Sequence, residues 1–178
     1  LERFHARLLA ASRGIALFDQ FANPMPITFG KLHAGNWPAS VPAQAVIEGV
    51  LGLLPNKTRF EVMDEMREAI AADADEWTRD HFELQFMYRH DSHVLDAGHA
   101  LPQGLAQCCR AAGLDGEISA MTASCDSWLY NTLHIPTVVF GPGSLGVAHS
   151  RDEHIRLDDI ESAATALLAF AAEWCGRD

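Results

Sequence analysis

The sequence predicts an α/β protein in two parts, an α+β first half and a mixed α/β second half. In residues 1–90, segments with helical spacing and segments with β alternation follow the order helix, strand, strand, helix, strand, which suits an antiparallel sheet with helices on one face. After a polar segment at residues 90–100, helices alternate with strands, as in a parallel or mixed sheet. We therefore predict two domains, residues 1–91 and residues 92–178.

Each element of the first half has a local signal in the sequence. Apolar residues at helical spacing predict helices, alternation predicts strands, and proline-rich turns separate them. The firmest signal is Thr58, because Glu61 three residues later completes a capping box ahead of an apolar helix stripe that continues to Trp77. The predicted elements are a helix at 1–13, strands at 27–32 and 43–54, a helix from 58 onwards and a strand at 82–88. This order lacks only an initial strand to form a βαββαβ unit of the ferredoxin-like type.

The second half continues with shorter elements. Its predicted elements are a helix at 101–112, a strand at 117–122, a short helical or irregular segment at 126–133, a strand at 137–140 and a final helix. Asp158, with Glu161 three residues later, marks the beginning of the final helix, because acidic side chains there accept hydrogen bonds from the free N–H groups of the first turn.

Composition and charge argue against several classes of protein. The net charge of −11 does not suit a nucleic-acid-binding protein, whose affinity depends on Lys and Arg. The longest apolar stretches, 41–54 and 163–172, are too short or too interrupted to span a membrane. The cysteines form no CxxC pair, so we expect a protein of the reducing cytoplasm without a disulfide framework. The chain begins at Leu1 inside a helical pattern, and we expect it to be part of a longer protein.

A glycine-rich loop after the last predicted strand carries the strongest chemical signal. Gly141, Gly143 and Gly146 match the dinucleotide-binding pattern G-x-G-x-x-G, but neither the helix opening at the third glycine nor the later strand with an acidic residue follows. Ser144 does not complete a serine nucleophile elbow, because Pro142 occupies the first glycine position of G-x-S-x-G. Both interpretations are therefore weak.

A third interpretation makes His149, at the end of this loop, a metal ligand. Neutral imidazole is the commonest protein ligand for zinc, and Glu153 can orient the ring by a hydrogen bond. A single loop histidine is more often a solvated side chain, so this alternative stays open on the residues alone. A second group of potential metal ligands lies in the polar segment at residues 90–100. The alternative is that this segment is a solvated hinge between the domains. The group comprises His90, Asp91, His93, Asp96 and His99.

Two stretches of the chain resemble the M20 metallopeptidases, in particular the acetylornithine deacetylase-like branch. Residues 33–42 resemble the Gly-Gly-x-Trp-Pro-x-x-Val-Pro turn of that branch's lid, or dimerisation, domain, with Ala34 in place of the first glycine. In the second half the resemblance lies in a Thr-Asp turn, a closing glycine loop and a His-x-x-Asp/Asn-Glu motif, matched by residues 124–126, 140–143 and 148–153.

The resemblance implies a βαββαβ lid inserted in an α/β catalytic domain that binds two zinc ions. His149 would ligate one zinc, Glu153 would orient that ligand, and Asp126 would brace a turn near the site. The other ligands and the general base belong upstream of Leu1. We therefore expect no catalytic residue in this chain and no activity of the chain by itself.

The resemblance also implies a substrate and a partner. Gly141, Gly143 and Ser144 would line the substrate pocket, and Trp128 stands where many members carry an arginine for a substrate carboxylate. An aromatic wall suits an apolar or peptide-like group, although a core tryptophan is an equal alternative. Expected substrates are N-acyl amino acids or small peptides, and the expected partner is a second copy, joined through the lid strand at 43–54. The alternative from another class is a noncatalytic dimerisation or binding module.

Overall fold

The computed structural model describes residues 1–87 and 90–176, and its mixture of helices and strands confirms the predicted class. Two of the described strands form an antiparallel pair. The elements in chain order are α1 (Glu2–Ala11), β1 (Ile27–Ala34), β2 (Ala45–Leu51), α2 (Arg59–Asp73), α3 (Glu76–His81), α4 (Ala100–Ala111), α5 (Ser127–Thr132) and α6 (Leu157–Cys175). No helix of the described residues is long and apolar enough to cross a membrane.

The chain divides into two compact units. The first comprises Leu1–His93 and Ala120–Trp128, and the second comprises Val94–Ser119 and Leu129–Asp178. A short segment therefore returns from the second half of the sequence to the first unit. The domain boundary predicted between residues 91 and 92 stays a prediction.

The core of the first unit lies between α1, α2 and the turns that flank the strands. Its helix residues recur at helical spacing, as Phe4 and Leu8 do in α1 and as Val62, Met66 and Ala69 do in α2. This core is completed by Phe18, Met25 and Leu54. In the second unit the buried residues Leu105 and Cys109 of α4 pack in one cluster with Ala166 of α6.

The beginning of α2 is the capping box predicted from the sequence. The hydroxyl of Thr58 accepts a hydrogen bond from the N–H of Glu61 at 3.3 Å, and the carboxylate of Glu61 accepts one from the N–H of Thr58 at 2.8 Å. The hydrogen bonds that the N–H and the hydroxyl of Thr58 donate to this carboxylate lower the pKa of Glu61 below its ordinary value. Two otherwise unpaired N–H groups of the first turn are thereby satisfied.

The predicted continuation of the α2 stripe to Trp77 is wrong. The helix ends at Asp73, and a second helix, α3, begins behind Asp75, whose carboxylate accepts a hydrogen bond from the N–H of Thr78 at 2.7 Å. Because the extended backbone of Ala74 interrupts the helix before this cap restarts it, Trp77 leaves the buried stripe and is 67% exposed.

The two strands form a hairpin whose residues are almost all exposed. The pairing runs from Ile27 opposite Leu51 to Ala34 opposite Ala45, with an irregularity at Gly30. Alternate positions place large apolar side chains on one face, where Leu32 lies opposite Ile47, while the other face mixes the pair of Lys31 and Glu48 with the exposed Val46 and Val50. The predicted strands 27–32 and 43–54 are confirmed with shifted ends.

Three further strand predictions, at 82–88, 117–122 and 137–140, are wrong for the residues described, which form no ladder there. Residue 88 lies outside the described residues. The alternation itself is real, because Phe82, Leu84 and Phe86 are half-buried between exposed neighbours. Alternation reports which side of the chain meets the core, whereas a strand also needs a neighbour to pair with.

We expect replacement of Thr58 by alanine to lower the free energy of unfolding by about 1 kcal/mol, because the N–H of Glu61 loses its acceptor. Urea denaturation at neutral pH measures the effect as a lower midpoint with an unchanged slope. Thr58→Ser keeps the hydroxyl and serves as the matched control. Equal midpoints for the alanine and serine variants would contradict this role.

The lowered pKa of Glu61 predicts a pH-dependent contribution. A carboxyl whose pKa is lower in the folded chain stabilises the fold above its unfolded pKa, and this contribution is lost as pH falls through the folded value. The stability difference between the wild type and Glu61→Gln should therefore be largest at neutral pH and shrink below the ordinary pKa of 4.5. Thermal melts of both proteins between pH 3 and pH 7 test this, and a constant difference would count against it.

Candidate active-site loop and aromatic pair

The glycine-rich loop of the second unit is built from consecutive turns. The N–H of Val147 donates to the carbonyl of Ser144 at 3.3 Å, and the N–H of Ser150 donates to the carbonyl of Val147 at 3.2 Å. Gly143 has a φ of +90°, in the left-handed region that favours glycine. Short-range hydrogen bonds therefore shape the loop that leads to α6.

The small residues predicted to line a substrate pocket are exposed in this loop. A side chain added at Gly141 would meet no atom within 4 Å, and one added at Gly143 would contact Ile155 at 3.5 Å. The hydroxyl of Ser144 accepts a hydrogen bond from the N–H of Gly146 at 3.1 Å, so it supports the turn. Contact of these residues with a substrate stays a prediction.

His149 and Glu153 are brought together by this loop. The N–H of His149 donates to the carboxylate of Glu153 at 3.0 Å, and His149 itself has a φ of +60°. Since a left-handed conformation is unfavourable for a residue with a side chain, the carboxylate helps to hold the backbone in it. The imidazole is exposed and makes no hydrogen bond among the described residues, so its nitrogens are open to a ligand. Orientation of the ring by Glu153 stays a prediction.

In the first unit, Trp128 is stacked on His90. The ring centroids are 5.1 Å apart and the planes differ by 3°. The Nε2 atom of His90 lies 3.1 Å from the hydroxyl of Ser124, within hydrogen-bond distance. Trp128 and His90 are both half-buried, so neither ring is enclosed in the core. The pair was not predicted, because no local pattern connects residues so far apart in sequence.

The segment that carries His90 is tied to the beginning of α2. One oxygen of Asp91 accepts a hydrogen bond from the N–H of Arg59 at 2.6 Å, and the other pairs with its guanidinium at 2.7 Å. Burial lowers the pKa of His93, and the nearby His90 lowers it further. Asp126 lies exposed just before α5, and its predicted role as a brace stays a prediction.

Residues 14–173 match the sequence model of the peptidase family M20/M25/M40. The chain belongs to this family. The predicted M20 resemblance is therefore confirmed, whereas the acetylornithine deacetylase-like branch stays a prediction.

Two curated relatives of this M20 chain carry the same name, N-formyl-4-amino-5-aminomethyl-2-methylpyrimidine deformylase. The protein of Halalkalibacterium halodurans is 27% identical over 159 residues, which cover 81% of this chain and 37% of that protein. The protein of Bacillus subtilis is 27% identical over 138 residues, which cover 69% of this chain and 32% of that protein. The chain thus spans about a third of the length of these relatives.

The described residues of this M20 chain do not form a complete metal centre. Among them, no three His, Cys, Asp or Glu side chains lie close enough together to hold an ion. In the polar segment at residues 90–100, Asp96 accepts a hydrogen bond from the N–H of Gly98 and His99 accepts one from the N–H of Leu101. The exposed imidazole of His149 fits the role of a single donor, and a catalytic zinc needs three protein ligands.

Proposed function

We propose that this chain is the C-terminal part of a metal-dependent amide hydrolase that removes a small acyl group from the amine of an aromatic substrate, and that the chain is inactive alone. Membership of the M20 family supports the hydrolase, and the two deformylases support a formyl group on an aminopyrimidine-like amine. N-acyl amino acids and small peptides are the competing substrates.

The observation that carries the substrate class is Trp128. It lies two residues beyond Asp126, where an arginine in many family members would hold a substrate carboxylate. An indole cannot neutralise a carboxylate, but its flat face stacks on planar rings. Its half-buried position beside His90 keeps part of this surface available for a ring in the substrate.

His149 is the residue of this chain that would hold a metal. A zinc ion in the complete protein would act as the Lewis acid for the amide carbonyl. The remaining ligands and the general base would come from residues outside this chain, in agreement with a chain that spans about a third of its relatives. The exposed backbone of Gly141 and Gly143 would give a substrate room beside the loop.

A second copy of the protein is the partner we propose for the hairpin. Its apolar face includes Leu32 and Ile47, which lie opposite each other and are 69% and 61% exposed. Exposed apolar side chains on a strand whose edge has no described neighbour favour pairing with another chain. The same face would serve the noncatalytic dimerisation module, so dimerisation alone does not separate the two functions.

The substrate class is tested on the complete protein with zinc, using an N-formyl aminomethylpyrimidine, an N-acetyl amino acid and a dipeptide. We expect the highest kcat/KM with the N-formyl heterocycle, by about 10-fold or more, because Trp128 offers a stacking face and no counter-charge. His149→Ala should lower kcat/KM by about 100-fold or more and reduce the zinc content.

His154→Ala is the matched control, because His154 is an exposed histidine of the same loop whose Nδ1 atom contacts the carbonyl of Asp152. It should keep its zinc and its turnover. Wild-type turnover in His149→Ala would rule out the metal role, and absence of hydrolysis with all three substrates would favour the noncatalytic module.

The dimer is tested by the molecular mass of the complete protein in solution. Ile47→Asp places a charge on the apolar face of the hairpin and should convert a dimer into a monomer. Leu168→Asp, at an exposed leucine of α6, is the control and should leave the dimer intact. A monomeric wild type, or a dimer that survives Ile47→Asp, would refute the proposed interface.

A further inference from the structure

His90 is held from two directions in the first unit. Its face is parallel to the indole of Trp128 at 5.1 Å, and its Nε2 atom lies 3.1 Å from the hydroxyl of Ser124. The contact with Ser124 restrains the imidazole independently of Trp128. The ring can therefore impose its own orientation on a neighbouring side chain.

The backbone beside His90 is fixed as well. Asp91 accepts hydrogen bonds from the main chain and the guanidinium of Arg59, which begins α2. His93, on the same segment, is half-buried, and burial together with the nearby His90 lowers its pKa, which keeps that imidazole neutral over a wider pH range. The imidazole of His90 thus stands on an anchored segment.

Trp128 depends on such support because its own helix gives little. α5 is six residues long, and none of its residues is fully buried. Short helices are marginal without tertiary contacts, so the side chains of this helix are positioned by what they touch. Among the described residues, the ring that stacks on Trp128 is that of His90.

We infer that His90 is a positioning residue that sets the plane of the Trp128 indole, so that the indole presents a fixed stacking face to a planar nitrogen heterocycle. The inference rests on the proposed function, since it concerns how that enzyme would select an aromatic substrate. It goes beyond the proposed function by assigning substrate selection to His90 and Ser124.

The test uses the complete protein and two measurements, the kinetic constants for an N-formyl aminomethylpyrimidine and the Kd of the deformylated amine. We expect His90→Ala to raise KM and Kd by about 3- to 10-fold with little change in kcat, as befits loss of one aromatic stacking contact. His90→Phe keeps a ring against Trp128 and should restore most of the affinity. The KM and Kd of Ser124→Ala should lie between those of the wild type and those of His90→Ala.

The chain offers a matched control in a second tryptophan–histidine stack. Trp77 and His81 lie 4.6 Å apart with planes that differ by 11°, and both are exposed. His81→Ala removes an equivalent stack elsewhere in the same unit and should leave KM and Kd unchanged. Circular dichroism and thermal melting establish that each variant is folded.

The outcomes separate this inference from the proposed function. Hydrolysis by the wild type with unchanged KM and Kd in His90→Ala would overturn the inference alone. The inference would also be overturned if His90→Ala raised KM equally for an N-formyl alkylamine, which has no ring. The effect would then not concern stacking. If the wild type neither hydrolyses the amide nor binds the amine, both the proposed function and the inference fail. Binding of the amine without hydrolysis of the amide would refute the proposed hydrolase. The aromatic ligand would remain, and the Kd values would still decide the role of His90.

Discussion

The contact between Asp91 and Arg59 is the constraint on which the candidate site of the first unit depends. Arg59 is the first residue of α2, and its N–H is one of the donors that a helix leaves unpaired at its beginning. The carboxylate of Asp91, 32 residues later, accepts a hydrogen bond from this N–H at 2.6 Å. The N–H of Thr58 donates instead to the carboxylate of Glu61. Both side chains are partly exposed, so solvent screening keeps the net energy of this ion pair small. Its importance is geometric, because it fixes the backbone that carries His90.

The candidate loop of the second unit depends on contacts of much shorter range. The N–H of His149 is held by Glu153, four residues later, and the turns around Ser144 and Val147 close within three residues. A loop built this way keeps its shape largely from its own sequence. This explains how a single exposed imidazole can be presented in a defined backbone conformation without being buried.

The range of these contacts also determines what could be predicted from sequence. The capping box at Thr58 and the beginnings of α4, α5 and α6 were predicted to within about one residue, because caps and periodicity are local signals. The acidic cap predicted at Asp158 is wrong, because α6 begins behind Arg156, which makes no side-chain capping hydrogen bond, and Asp158 lies inside the first turn. The strand predicted at 117–122 failed because a ladder needs a distant partner that alternation does not specify. The proximity of His149 and Glu153 is equally local, but the sequence predicted a contact with the imidazole, whereas the carboxylate of Glu153 accepts the backbone N–H of His149. The stack of His90 on Trp128 was not predicted, since no local spacing connects these two residues, nor His90 with Ser124, 34 residues later.

Charge gives an independent argument about the substrate. An arginine beside a carboxylate forms charge-assisted, paired hydrogen bonds, whereas an indole leaves a carboxylate desolvated without compensation. The chain carries a net charge of −11, so its long-range field also disfavours anions. Both effects support the neutral or cationic ring proposed as the substrate over an anionic amino acid.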